Sequence, residues 1–116
     1  MGKQKMSENT KMKKLINTLL SRTQNGQVSW DSASNEGSFI WSAKSGSVMV
    51  FPTDNDGRAP WSVRLIAGDG QTIEEESYDG GDEDYEIAYD LYRAARSNAL
   101  DIDRTIDSLL NELGTE

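Results

Sequence analysis

The stretch Asp82–Leu113, DEDYEIAYDLYRAARSNALDIDRTIDSLLNEL, is the longest patterned segment of the chain. Apolar or small residues recur at Ala88, Tyr92, Ala95, Ala99, Ile102, Ile106, Leu109 and Leu113, in steps that alternate between four and three. That spacing keeps them on one stripe of an α-helix. Ile87, Leu91, Ala94 and Leu110 widen the stripe, and Asp90, Arg93, Arg96, Asp103, Arg104, Asp107 and Glu112 occupy the opposite side. The expectation is a helix with one buried face, on which the upstream chain packs. An unbroken helix of this length would measure roughly 45–50 Å, against a radius of gyration of about 13 Å for a compact domain. Either the overhang packs on a partner or the helix bends. The expected break is at Leu100–Asp103, where Asp101 can cap a second helix by accepting a hydrogen bond from a free backbone N–H. Two helices, about 83–99 and 102–113, are therefore expected rather than one.

Upstream, Met12, Leu15, Ile16, Leu19 and Leu20 repeat at amphipathic spacing and predict a helix over about 9–23. Asn9 or Thr10 can cap its start, and Asn25-Gly26 ends it. Its Lys-rich face could serve a membrane surface or a nucleic acid. The plainer reading, preferred because the apolar face is needed to cover a sheet, is a solvated face over an acidic body. Residues 1–9 are polar and aperiodic, and are expected to form a disordered tail before a single domain over 10–116.

Between the helices the period changes to two. Val28-Ser29-Trp30 reads as a short strand, and Ser34–Gly37 as a turn. Phe39 and Trp41 alternate with Ile40 and Ser42; Val48 and Val50 with Met49 and Phe51; Trp61, Val63 and Leu65 with Ser62, Arg64 and Ile66. A last strand runs over about 71–77. Ser45-Gly46 and Asp69-Gly70 read as hairpin turns, the second as type I′. Short connections imply an antiparallel meander of four to five strands. The fold class is α+β: helix, meander, helical segment.

One sheet face collects Phe39, Trp41, Val48, Val50, Trp61, Val63 and Leu65, a core face on which Trp41 and Trp61 are structural. The other holds Ile40, Met49, Phe51 and Ile66 among serines and Arg64, and is more apolar than a free solvent face. Either a helix covers each face, or the second face is a contact surface. Trp30, at a sheet edge, is expected to be partly exposed and to join Ile40, Met49, Phe51 and Ile66 in partner binding.

The chain of 116 residues is long enough for one domain with a real core. It lacks both Cys and His. Disulfides, thiolate chemistry and the commonest general base and metal ligand are thereby removed. Serines have only Lys or carboxylates as activators, and no phosphate-cradling Gly loop occurs, so no catalytic residue, metal ligand or cofactor is assigned. The net charge is −8. Residues 1–22 hold six basic residues against Glu8, a net +5; the rest holds six basic and nineteen acidic residues, a net −13. The two parts attract each other or attract different partners. An acidic body disfavours direct nucleic-acid binding. No apolar run approaches a secretory or membrane-spanning segment. Met1-Gly2 opens like an acylation signal, but Met6 stands where Ser or Thr is required. A soluble, cytoplasmic chain is expected.

Glu74, Glu75, Glu76, Asp79, Asp82 and Asp84 belong to a dense acidic run. They could mimic nucleic-acid phosphates toward a basic partner or bind a cation weakly. The plainer reading is a charged edge strand and helix start. Asp54–Gly57 resembles a calcium loop only superficially, because a Gly at its sixth position would put Pro52 at the first.

The segment Leu91–Asp103, followed by Ile106, Leu109, Leu110 and Leu113, resembles the ending of a group of small, uncharacterised bacterial proteins with a helix, a β-meander and C-terminal helices. Leu19-Leu20 and Val28–Trp30 resemble its opening. In that group a Gly often stands where Asp101 stands, which suits a break between helices. The resemblance spans about residues 12–113 and rests on core positions. It implies the fold and a bacterial origin, and no activity, ligand or catalytic residue. The function expected is non-enzymatic: a small acidic protein-binding or regulatory module of the immunity, inhibitor or accessory kind, acting through the apolar sheet face and able to form a homodimer. A nucleic-acid mimic or a small-ligand sensor is the alternative.

Overall fold

The alternating residues of 31–78 form a five-stranded antiparallel sheet in sequential order: β1 Asp31–Ser32, β2 Phe39–Ser42, β3 Gly46–Pro52, β4 Trp61–Ala67 and β5 Thr72–Tyr78. The computed structural model describes residues 2–33, 37–53, 60–81 and 84–114, with side chains from Lys11 onward apart from that of residue 103. The register pairs Phe39 with Val50, Trp41 with Val48, Val50 with Val63 and Trp61 with Tyr78. Period-two alternation thus places the apolar set on one face. Glycine is required at Gly46, where a Cβ would collide with the Ile66 carbonyl oxygen of the neighbouring strand. At the β4–β5 turn only Gly70 takes a positive φ, 91°. A type I′ turn needs two such residues, so the Asp69-Gly70 expectation is corrected. The hairpin is longer, closed by Ala67 N–H donating to the Gln71 carbonyl at 2.8 Å, and the register shifts at Leu65/Ile66.

Two helices cover the apolar face. α1 runs over Gly2–Gln24, so the helix includes most of the stretch expected as a tail. It ends as expected at Gly26, where the Gln27 N–H reaches the Arg22 carbonyl and the Gly26 N–H reaches that of Thr23. α2 spans Tyr85–Leu100. Lys13 meets Asp84 at the start of α2, while Thr23 and Asn98 are joined through Trp30, so α1 and α2 run side by side in the same direction. Met12, Ile16 and Leu19 of α1 and Ala88, Leu91, Tyr92 and Ala95 of α2 are buried against Phe39, Val48, Val50, Trp61 and Val63. The Tyr92 ring stacks on Trp61 at 4.5 Å between centroids and tilts against Phe39 at 5.7 Å.

The tryptophans exchange their expected places. The strand expected at 28–30 forms at Asp31–Ser32 instead. Trp30 is only 3% exposed. Its indole N–H donates to Thr23 Oγ1 (2.9 Å) and its backbone N–H to Asn98 Oδ1 (2.6 Å). The expected partial exposure of Trp30 is thus corrected: its ring belongs to the core. Trp41, expected in the core, is half-buried. α2 crosses the Phe39–Val50–Trp61 end of the face, and Leu15 of α1 leaves a hollow of about 310 Å³ beside Trp41, Leu65 and Ile73.

The helical segment breaks at Asp101, between α2 and α3 (Ile102–Glu112), as expected, but not by side-chain capping. Asp101 sits in the left-handed region, φ 55° and ψ 44°, and its N–H donates to the Asn98 carbonyl. Its carboxylate lies 3.5 Å from the Arg104 guanidinium. The expectation of one stripe buried to Leu113 is also corrected. Ile106, Leu109, Leu110 and Leu113 are 49%, 53%, 43% and 77% exposed. The molecule is elongated, 62 × 33 × 26 Å.

Two outcomes follow from this packing. Trp30→Ala and Trp61→Ala should each lose about 3–5 kcal/mol in urea denaturation and Trp41→Ala clearly less. Asp101→Gly should leave stability unchanged or raise it by up to about 1 kcal/mol, because a left-handed Asp carries a strain that Gly lacks. Asp101→Val should lower it on the same assay.

Candidate interaction surfaces

Neither α1 nor α2 lies on the outer sheet face, so Ile40, Met49, Phe51 and Ile66 remain half-buried there with no helix over them. Strand register arranges this face in rows. Ile40, Met49, Arg64 and Glu75 are successive cross-strand partners, and Phe51, Ser62 and Ser77 form the next row. Ile66 pairs with Ser47, which places it diagonal to Met49. The four apolar residues expected to act together therefore share one surface.

Arg64 divides that surface. Its guanidinium lies 4.7 Å from the centroid of the Phe51 ring, and its Nε donates to Glu75 Oε1 at 2.8 Å. The planar cation covers part of the ring while its charge is balanced. Beside it, Ser62 is fully buried and its hydroxyl lies 2.6 Å from Thr53 Oγ1 and 2.9 Å from Ser77 Oγ. These hydroxyls satisfy one another, so the face combines an apolar patch with a closed polar strip.

The acidic residues do not gather into one ridge. Glu74 and Glu76 line the sheet edge with Lys11, Met12, Leu15 and Ile73, whereas Glu75 points to the outer face. Glu76 accepts from the Tyr78 hydroxyl at 3.0 Å, Asp79 from the Gly80 N–H at 2.9 Å, and Asp84 pairs with Lys13 at 3.2 Å. Asp82 and the Asp54–Gly57 loop lie outside the described residues. Among the described residues no three carboxylates converge to hold a metal ion, and no helix is long and apolar enough to cross a membrane.

Neither the exposure of the α3 stripe after the bend nor the hollow at Trp41 is marked by residue spacing. Period alone marks a helix face as apolar without saying whether anything covers it. A polar groove of about 600 Å³ also opens where α1 ends against α2, lined by Thr23, Asp90, Arg93 and Asn98. No family model, curated protein or solved structure matches this chain.

Packing perturbs the titration of Tyr92. Burial raises its phenol above the ordinary value, and the nearby Arg96 charge pulls it partly back. Its hydroxyl donates to the Gly37 carbonyl at 2.8 Å. The folded chain holds this proton more tightly than the unfolded chain. Its contribution is therefore intact below about pH 10 and is lost as pH rises through the raised value. Denaturation midpoints measured up to about pH 11 should show this alkaline decline. Tyr92→Phe should flatten it, at a neutral-pH cost of about 1 kcal/mol for the lost hydrogen bond.

Proposed function

We propose that the protein is a non-enzymatic protein-binding module of the immunity, inhibitor or accessory kind, engaging its partner through the outer sheet face. The observation that carries this reading is the half-buried set Ile40, Met49, Phe51 and Ile66, over which no described helix lies, on a sheet whose opposite face already supplies the core. An apolar patch rimmed by Arg64, Glu75 and serines has the anatomy of a contact surface, with apolar anchors inside and paired polar groups around them. Partner docking requires no change of fold, because the patch is already displayed on paired strands.

Phosphate mimicry is the weaker reading. The carboxylates of β5 fall on both faces, and Glu75 and Asp84 are each engaged by a cation of the same chain. A mimic presents its charges along one ridge, free for the partner's basic groups.

The two readings separate in an affinity capture from bacterial lysate with the purified chain as bait. Phe51→Asp and Met49→Asp should each weaken capture of the partner about tenfold or more, as for central apolar anchors. Their denaturation midpoints should stay near that of the parent chain. Moderate salt should change capture little. Capture that survives both substitutions but disappears with salt, or with Glu74, Glu75 and Glu76 neutralised together, would reverse the assignment.

A further inference from the structure

α3 is an amphipathic helix whose apolar stripe is not covered among the described residues, and its sequence specifies what can cover it. Among the described elements its substantial contact is with α2. Ile102, Ile106, Leu109 and Leu113 follow the four-three-four spacing of a coiled-coil seam, with Leu110 beside them. The exposed fractions of Ile106, Leu109, Leu110 and Leu113 amount to an apolar patch of about 450 Å². Three acidic residues against Arg104 give the helix a net negative charge. That charge opposes docking on an anionic membrane or a nucleic acid.

We propose that α3 is a self-association helix whose occupant is α3 of a second copy, packed antiparallel. With the two-fold axis passing between residues 107 and 108, Ile106 of one copy meets Leu109 of the other, and Ile102 meets Leu113. The flanking positions then bring Thr105 opposite Glu112, and no two acidic positions oppose each other. Two such patches bury about 900 Å² in total, just below the roughly 1,000 Å² of a stable interface, so the pair is weak and reversible. A parallel pair would instead crowd two acidic bodies at one end of the seam. The antiparallel pair puts them at opposite ends of a helix about 16 Å long. That separation exceeds the Debye length of about 8 Å in physiological salt, so the repulsion is screened. The contact is isologous and closes at two copies. It leaves the outer sheet face free, so it does not rest on the function proposed above.

Sedimentation of the full chain tests the proposal. A reversible dimer should appear by about 100 μM, a modest affinity in keeping with the small area. Leu109→Asp and Ile106→Asp should each shift the dissociation constant at least tenfold, with the denaturation midpoint of the domain unchanged. Asn111→Asp, on the outer side of the seam, should leave the dimer intact. The chain has no cysteine, so introduced thiols are unique reporters of orientation. A mixture of Thr105→Cys and Glu112→Cys chains should be joined by a short bis-maleimide as mixed pairs. Preferential joining of like variants would make the pair parallel and overturn the arrangement. A monomer at the highest concentration would overturn the proposal outright. So would a dimer that Phe51→Asp dissolves and Leu109→Asp does not, which would move self-association to the sheet face.

Discussion

The structure turns on Trp30. One residue ties the end of α1, the last turn of α2 and the entry to the sheet. Its indole N–H meets Thr23, whose hydroxyl is passed on to the Leu19 carbonyl at 2.6 Å. Its backbone N–H is taken by Asn98, 68 residues further along. Each of these polar groups would be costly to bury alone, and their mutual satisfaction makes the burial tolerable. The two helices can then lie side by side on one sheet face. That arrangement leaves the other face without a helix.

The division of the sheet was legible from period-two alternation, because strand parity alone separates Phe39, Val50 and Trp61 from Ile40, Met49 and Phe51. Parity says nothing about how far along a strand the cover extends. Trp41 and Trp61 share a face, yet the Tyr89 and Tyr92 rings reach only Trp61. The burial of Trp30 is hidden for a related reason. A residue in a short first strand at the sheet edge looks peripheral in sequence, and the Thr23–Trp30–Asn98 contact is a tertiary pairing that no local pattern announces.

Asp101 shows how a pattern can continue where the geometry does not. The apolar spacing of α2 carries on in phase through α3, and by spacing alone Ala99 and Ile102 belong to one stripe. A single left-handed residue separates them, and burial ends with it: Ala95 is fully buried and Leu109 is half-exposed. The outer face and α3 are thus two different kinds of apolar surface. The first is fixed in place by strand pairing and partly shielded by Arg64; the second stands on a single turn.

That difference bears on local stability. α3 has eleven residues, fewer than the dozen or so that an isolated helix needs to hold in water. Its seam leucines gain little from the body of the molecule. Opening α3 therefore costs far less than opening the core, and the two belong to separate cooperative units. A partner that covers the seam supplies the burial that the helix lacks, so helix formation and association become one equilibrium. If that partner is a second copy, the concentration of the chain sets how much of α3 is helical, while the α1–sheet–α2 body keeps its own core.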